Sequence, residues 1–556
     1  MIRNSAFRLL LVASGLAAGA ALGQTAMPAA LNDVHEDIPG MGNRPERLEW
    51  LQDAGFGMFI NWGVDSQVGS VMSHHMVGAS RSWLEWSINE LPKTFRPKRW
   101  DPEEYVVLAR LAGMRYVVFD AKHHNGFCFW DTKTTDYKVT NTPYGKDILY
   151  EYFRAARQYG LAAGIYYSPE DFTWLHRHGF PVTRNNLDPH PDTDAAYSKF
   201  ITEQVTELFT NYGPVAMLFI DGEGRIPAKK AAWTLQPNCL ITRGAIATPE
   251  QYIPGRQLPG AWEACLTMGT QWNYKPTNEA YKSGTRIIEI LIETRAKGGA
   301  LLLNVAPKPN GEIPIEQEAR LREIALWHAG NGESIHDTRP WIVPREEDIW
   351  FTRRKDGAAV YAFLTRMPDW PRGERREFLL CSVKATSGTR ISVLGHDGRI
   401  VEYMPDADGA PRFEQTASGL RLSIVRAQRL YNNEKWPNPV VVKLENVTPA
   451  FEEPPYAETV SASARGGGAV LVEGNLIELA GAPTVEVGVE YQEYLSFDQA
   501  TVNLHWEASE MRTMTAAGRY SIEIRGLPPG KEYQFRAVVK HPKITMRGDY
   551  QRTTVR

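Results

Sequence analysis

Val215-Ala216-Met217-Leu218-Phe219-Ile220-Asp221-Gly222 is a run of six apolar residues that closes on a carboxylate and a glycine. A continuous apolar run without period-two alternation reads as a strand buried on both faces, the signature of a parallel sheet. An acid at the C-terminal end of such a strand stands where (β/α)8 barrels carry their chemistry. The texture recurs at Phe56 to Trp62, Tyr116 to Ala121, Ala163 to Ser168, Cys239 to Arg243, Trp262 to Thr267 and Ala300 to Ala306. Amphipathic stretches fall between several of these runs, at Pro102 to Ala112, Ile148 to Tyr159, Tyr197 to Tyr212, Thr285 to Lys297 and Ile315 to Ala329. The alternation predicts an α/β fold, a (β/α)8-like barrel over residues 30–341 with its eighth strand weakly signalled.

Beyond Trp341 the pattern changes to short alternating runs between turn residues, including Glu347 to Thr352, Ala358 to Leu364, Glu377 to Val383 and Thr389 to Val393. A β-sandwich is expected over 342–436. Pro437, Pro439, Pro449, Pro454 and Pro455 make 437–456 read as a linker. A second small all-β domain is expected over 457–556. Its segment Leu527-Pro528-Pro529-Gly530-Lys531-Glu532-Tyr533-Gln534-Phe535-Arg536-Ala537 resembles the turn and strand of a fibronectin type III or immunoglobulin-like module.

The 556 residues are 43% apolar and 23% charged, which excludes disorder as a description of the whole chain. With 16 Trp, 23 Tyr and 20 Phe there are aromatics to spare for a binding surface. A net charge of -3 offers no field to attract nucleic acid. Arg3 and Arg8 precede the apolar stretch Leu9 to Leu22, and Gly23 follows, so residues 1–23 read as a removable signal peptide. The protein is therefore expected to be exported, periplasmic or secreted, with no membrane span once mature. Oligomeric state is left open. Cys128, Cys239, Cys265 and Cys381 show no paired spacing; buried thiols are the default, though export would permit a bridge.

Polar or aromatic residues close nearly every candidate barrel strand: Asn61 and Trp62, His123 and His124, Tyr166 and Tyr167, Asp221, Arg243, Glu263 and Asn304. Such convergence points to one polar pocket lined by aromatics. Asp221 is a candidate nucleophile; a capping or loop aspartate is the competing reading. Glu263, near the end of another predicted strand, has Trp262 and Cys265 as neighbours, surroundings that raise a carboxyl toward what a general acid needs. Two carboxylates on different strands suit glycoside hydrolysis, at about 5 to 5.5 Å when configuration is retained. On a strand, His123 and His124 would alternate faces, so only one would enter the site. Hydrogen bonds to sugar hydroxyls are the better reading for them and zinc ligation the lesser alternative, since no HExxH accompanies them. GxSxG, the P-loop and a GxGxxG after a strand are missing as well. No metal and no cofactor is expected.

The ordered motifs Phe56-Gly57-Met58-Phe59-Ile60-Asn61-Trp62-Gly63, Lys122-His123-His124-Asn125-Gly126-Phe127, Gly164-Ile165-Tyr166-Tyr167-Ser168, Phe219-Ile220-Asp221-Gly222, Trp262-Glu263-Ala264-Cys265, Gly298 to Pro307 and Asn331-Gly332-Glu333 resemble glycoside hydrolase family 29, the α-L-fucosidases. The resemblance covers residues 45 to 341. It implies a distorted barrel followed by a β-sandwich, and a retaining double displacement without a metal. In that mechanism Asp221 would be the nucleophile and Glu263 the acid/base, with Glu85 as a fallback acid/base and otherwise a sugar-binding carboxylate. His123, His124, Tyr167 and Arg243 would match sugar contacts. Trp62, Trp86 and Trp272 would offer apolar contact with the sugar, with core packing the alternative for each. Asn61, Asn125 and Phe219 depart from the family's usual His, Asp and Trp, which changes the hydroxyl pattern the site can read.

The implied activity is exo-acting hydrolysis of terminal α-L-fucosyl residues from an oligosaccharide or glycoconjugate. A related α-L-sugar such as α-L-galactoside is the alternative substrate. A catalytically silent carbohydrate-binding protein is the contrasting class.

Overall fold

The computed structural model describes residues 38–556 apart from 71, 185–186, 397–400, 402–403, 428–437 and 496–504. The expected signal peptide, 1–23, lies outside the described residues. Seven parallel strands form one sheet in the order β5-β4-β3-β2-β1-β7-β6. They are β1 (Phe56–Ile60), β2 (Tyr116–Lys122), β3 (Ala162–Tyr167), β4 (Met217–Ile220), β5 (Leu240–Ile241), β6 (Glu263–Thr267) and β7 (Ala300–Val305). The place between β5 and β6 is taken by residues 247–251. There Glu263 N–H donates to Ala247 O at 3.1 Å, Cys265 N–H to Pro249 O at 3.0 Å and Gln251 N–H to Cys265 O at 2.9 Å. This segment lies beside β6 as an eighth stave. Pro249 cannot donate to a ladder, which is why the stave barely registers as a strand.

Nine helices among the described residues, α1 (Pro45–Ala54), α2 (Arg81–Asn89), α3 (Pro102–Leu111), α4 (Ile148–Gln158), α5 (Phe172–Arg177), α6 (Ala195–Asn211), α7 (Arg225–Leu235), α8 (Gly284–Ala296) and α9 (Ile315–Asn331), accompany the barrel. Their starts are written locally. Asp101, Asp147, Asp171, Asp194 and Ser283 each accept a backbone N–H of the first turn, which satisfies an otherwise orphaned donor.

Strand parity decides what the barrel can present. Phe59, Tyr116, Val118, Tyr166, Met217 and Phe219 point inward and pack on one another. Phe56, Met58, Ile60, Trp62, Ile165 and Tyr167 point outward, into the larger core shared with the helices.

The sandwich pairs a five-stranded sheet with a three-stranded one, over a core that includes Trp341, Phe351, Leu380, Leu422 and Val442. The expected linker 437–456 is corrected here. Val440–Pro449 is a strand of the larger sheet, paired with both Ala359–Leu364 and Val383–Val393. Its prolines flank the run Val440 to Leu444, apolar but for Lys443, instead of interrupting it, so a proline count mistakes its borders for a linker. Trp327 Nε1–H on α9 donates to Pro439 O at 2.8 Å and ties this domain to the barrel. The C-terminal β domain packs two sheets around Val472, Val487, Ile522 and Phe535. All four cysteines are unbridged thiols.

Candidate active site

Asp221 follows β4 at the C-terminal mouth of the barrel, and its N–H is held by Tyr167 O at 3.2 Å. Gly222 behind it has φ +94°, and a Cβ there would lie 2.7 Å from the Glu170 carboxyl carbon, so only glycine fits. Arg243 Nη1–H donates to Asp221 Oδ1 at 2.8 Å, and Tyr166 O–H donates to Oδ2 at 2.9 Å. Burial works against the charge, but the Arg243 guanidinium outweighs it and holds the carboxyl well below the usual carboxylate range. The result is an ionised, aimed carboxylate whose side chain is 18% exposed.

His123 and His124 both reach this group, contrary to strand alternation. β2 ends at Lys122, and the turn that follows frees the two rings from the strand's period. His124 Nε2 lies 3.6 Å from Asp221 Oδ2, while its Nδ1 meets Ser168 Oγ at 2.6 Å. Burial pushes His124 down to about 3 and His123 well below its ordinary value, so both are neutral imidazoles near pH 7. His123 stacks on Tyr166 at 5.3 Å and 4°, with Nδ1 on Ser73 Oγ at 2.6 Å. Ligand atoms of His123, His124 and Asp221 lie within 4.8 Å of one another, a donor set that zinc could use. The Arg243 guanidinium already holds one of the carboxylate oxygens, and its positive charge opposes a second cation. Neutral imidazoles beside a carboxylate suit sugar hydroxyls better.

The floor of the mouth is aromatic. Phe59 meets Tyr166, Phe219 and Trp272 at 5.8, 5.2 and 5.9 Å, and Tyr166 stacks on Phe219 at 5.7 Å. Arg243 lies 4.9 Å over the Phe219 ring. Asn61 Nδ2–H donates to Asn304 Oδ1 at 2.8 Å, and Asn304 in turn donates to Trp272 O at 2.8 Å. Asn125 is buried and donates to Asp65 Oδ2 at 3.2 Å. An amide suits this place because an aspartate would set two carboxylates against each other.

Several expected contacts stand elsewhere. Tyr167 points away from the mouth and donates to Gln204 Oε1 at 2.8 Å; the inward neighbour Tyr166 takes its place. Trp62 is fully buried behind the barrel wall among Phe95, Trp100 and Phe129. Glu85 and Trp86 sit on α2 at the surface. Glu85 meets His176 at 3.0 Å, Trp86 packs on Trp83 at 5.0 Å, and no described contact links either to Asp221.

Glu263 is the largest displacement. It opens β6 rather than closing it, at the foot of the barrel, where Tyr116 O–H donates to Oε1 at 2.6 Å. Tyr116 is level with Ala162 at the start of β3, whereas Asp221 hangs beyond its end at Tyr167. Five residue rises at about 3.3 Å separate these two backbone levels, and no described contact links Glu263 to Asp221. Burial raises Glu263 to about 7, but at the wrong end.

The carboxylate beside Asp221 is Glu250, on the eighth stave. Arg243 Nη2–H donates to Glu250 Oε2 at 2.8 Å while Nη1–H holds Asp221, so one planar guanidinium spans both carboxylates. Trp272 Nε1–H donates to Glu250 Oε1 at 3.0 Å. At 41% exposed, the Glu250 side chain faces the opening, where a leaving group would depart. Glu170, behind His124 at 3.4 Å and raised by burial to about 7, was also absent from the sequence reading; at 2% exposed it supports the imidazole from behind. The available signal for Glu250 was the position of Glu263 itself, since an acid that opens a strand lies at the face opposite to the mouth.

A family model described as alpha-L-fucosidase matches residues 39–333. Plasma alpha-L-fucosidase of Rattus norvegicus is 28% identical over 403 residues, covering 62% of this chain and 83% of the relative. The human plasma enzyme is 27% identical, with 62% and 81% covered. Among solved structures, alpha-L-fucosidase isoenzyme 1 from Paenibacillus thiaminolyticus superposes with a TM-score of 0.57 at 26% identity, covering 72% of this chain and 98% of that one.

Proposed function

The chain belongs to the α-L-fucosidase family of glycoside hydrolases, and from that premise we propose that it removes terminal α-L-fucosyl residues from glycans by a retaining mechanism run by Asp221 and Glu250. Asp221 attacks the anomeric carbon as the bond to the leaving oxygen breaks, and Glu250 delivers its proton to that oxygen. In the second half Glu250 takes a proton from water, whose oxygen displaces Asp221 from the sugar. The observation that carries this reading is the Arg243 bridge, which holds a buried ionised carboxylate and an exposed one at the same mouth. Tyr166 and Arg243 keep the nucleophile charged, and His123 and His124 offer neutral nitrogens to the ring hydroxyls.

The floor of Phe59, Tyr166, Phe219 and Trp272 supports a 6-deoxy sugar, since a methyl group can rest on apolar rings where a hydroxyl would lose its water. The leader from Arg3 to Gly23 supports export to a periplasm or the medium.

The test uses azide. Asp221→Gly with azide should release the β-L-fucosyl azide, because azide fills the place of the lost carboxylate. Glu250→Gly should release the α-azide, formed by attack on the glycosyl-enzyme. Wild-type turnover in Asp221→Gly, or no azide product from Glu250→Gly, would overturn the respective role.

A further inference from the structure

The loop beyond Glu250 runs onto the C-terminal β domain. Gly255 N–H donates to Asp549 Oδ1 at 2.9 Å, and Arg256 Nε lies 3.7 Å from Asp549 Oδ2. The fit is close. A Cβ on Gly255 would come within 2.9 Å of Asp549 Oδ1 and 3.0 Å of its Cα. Arg552 of the same strand lies 5.3 Å over the Tyr252 ring and 3.7 Å over Tyr494. Asp549 is itself fixed by its own domain. It sits at a register shift in strand Thr545–Thr554, and Thr459 O–H donates to its carbonyl at 2.6 Å.

On the barrel side the loop begins under strain. Gln251, the residue after Glu250, has φ +62°, a left-handed conformation that a residue with a side chain holds only when its surroundings impose it. Its N–H is tied to β6 through Cys265 O. Gln251 and Gly255 thus mark two anchors four residues apart, one on the barrel and one on the C-terminal domain.

We propose that the C-terminal β domain is a positioning element for the acid/base: Asp549 and Arg552 clamp the 251–256 loop so that Glu250 stays on the Arg243 bridge. This rests on the reading of Glu250 as the acid/base. A domain that only spaced the enzyme or bound glycan elsewhere would leave proton delivery untouched.

Leaving-group dependence separates these roles. A fucosyl disaccharide needs its leaving oxygen protonated, whereas a 2,4-dinitrophenyl α-L-fucoside does not. The readout is the ratio of kcat/KM for the two substrates, which does not depend on the fraction of enzyme folded. Asp549→Ala and Gly255→Val should each lower the disaccharide-to-dinitrophenyl ratio about tenfold, with Glu250→Gln lowering it further, about a hundredfold or more. If Glu250→Gln shows that signature and the two clamp variants keep the wild-type ratio, the clamp is refuted and Glu250 keeps its role. A wild-type ratio in Glu250→Gln would refute the acid/base reading and the clamp with it.

Discussion

Replacing Glu263 by Gln separates a carboxyl that looks catalytic in the sequence from one that is structural in the fold. Tyr116 can donate to an amide oxygen as it does to the carboxylate, so the change removes charge with little change of shape. Burial raises this group from 4.5 to about 7, which costs the folded state about 3 kcal/mol once the group is ionised. Below pH about 4 both states hold the proton and nothing is lost. As pH rises through 4.5 to 7 the unfolded chain releases the proton first, so stability falls, and above 7 the loss is complete.

Glu263→Gln lacks this dependence. The difference in unfolding free energy between variant and wild type should therefore move by about 3 kcal/mol in the variant's favour between pH 4.5 and pH 8. In thermal denaturation that is of the order of 6 °C for a large domain. Turnover of an aryl α-L-fucoside should stay within about threefold of wild type, since the group lies far from the mouth. A thousandfold loss of kcat would return Glu263 to the chemistry, and a pH slope of stability unchanged from wild type would show that burial does not hold its proton.

Tyr166→Phe should lower kcat about 10- to 100-fold by removing a hydrogen bond to the ionised Asp221, whereas Tyr167→Phe should leave kcat alone and cost about 1 kcal/mol in urea unfolding. Gly222→Ala should abolish most activity, because its Cβ would press on Glu170 and swing Asp221 aside; kcat measured on correctly folded enzyme checks this. An α-L-galactoside should react about 10- to 100-fold more slowly than the fucoside in kcat/KM, since its extra hydroxyl would sit on the aromatic floor. A preference for the galactoside would mean that the floor does not receive C6. Asp120, buried on β2 with no hydrogen bond to either carboxyl oxygen among the described residues, has its ionisation pushed well up by burial and by Asp65 and Asp221. Asp120→Asn should melt higher than wild type by a margin that widens from pH 4 to pH 8.

The barrel was legible because buried parallel strands are apolar throughout, and Asp221 because it ends one of them. The same property hid the facing of the side chains. Phe56 to Ile60 is apolar on both faces, so nothing local says whether Tyr166 or Tyr167 looks inward; that follows only once Phe59 and Phe219 are seen packed together. Trp62 failed for the same reason, one residue past Asn61 on the opposite face. The histidine pair failed where a strand's period was carried into a turn. Glu263 failed on direction, because an acid flanked by apolar neighbours reads alike at either end of a strand, and only the top is catalytic. Glu250 was hidden by Pro249, which makes a barrel stave look like a loop.

The eighth stave also separates two kinds of inheritance. β4 is laddered on both sides, to β3 and to β5, so the residue that follows it cannot slide without dragging neighbours along. Among the described residues, 247–251 pair by backbone with β6 and its flanking Trp262 alone, and insertions or deletions before them could be absorbed without re-registering the sheet. Over evolutionary time the address of Asp221 in a linear alignment should therefore hold still while that of Glu250 drifts. Homologues of this enzyme are better matched at that position by asking which acid shares an arginine with the counterpart of Asp221 than by counting residues from it.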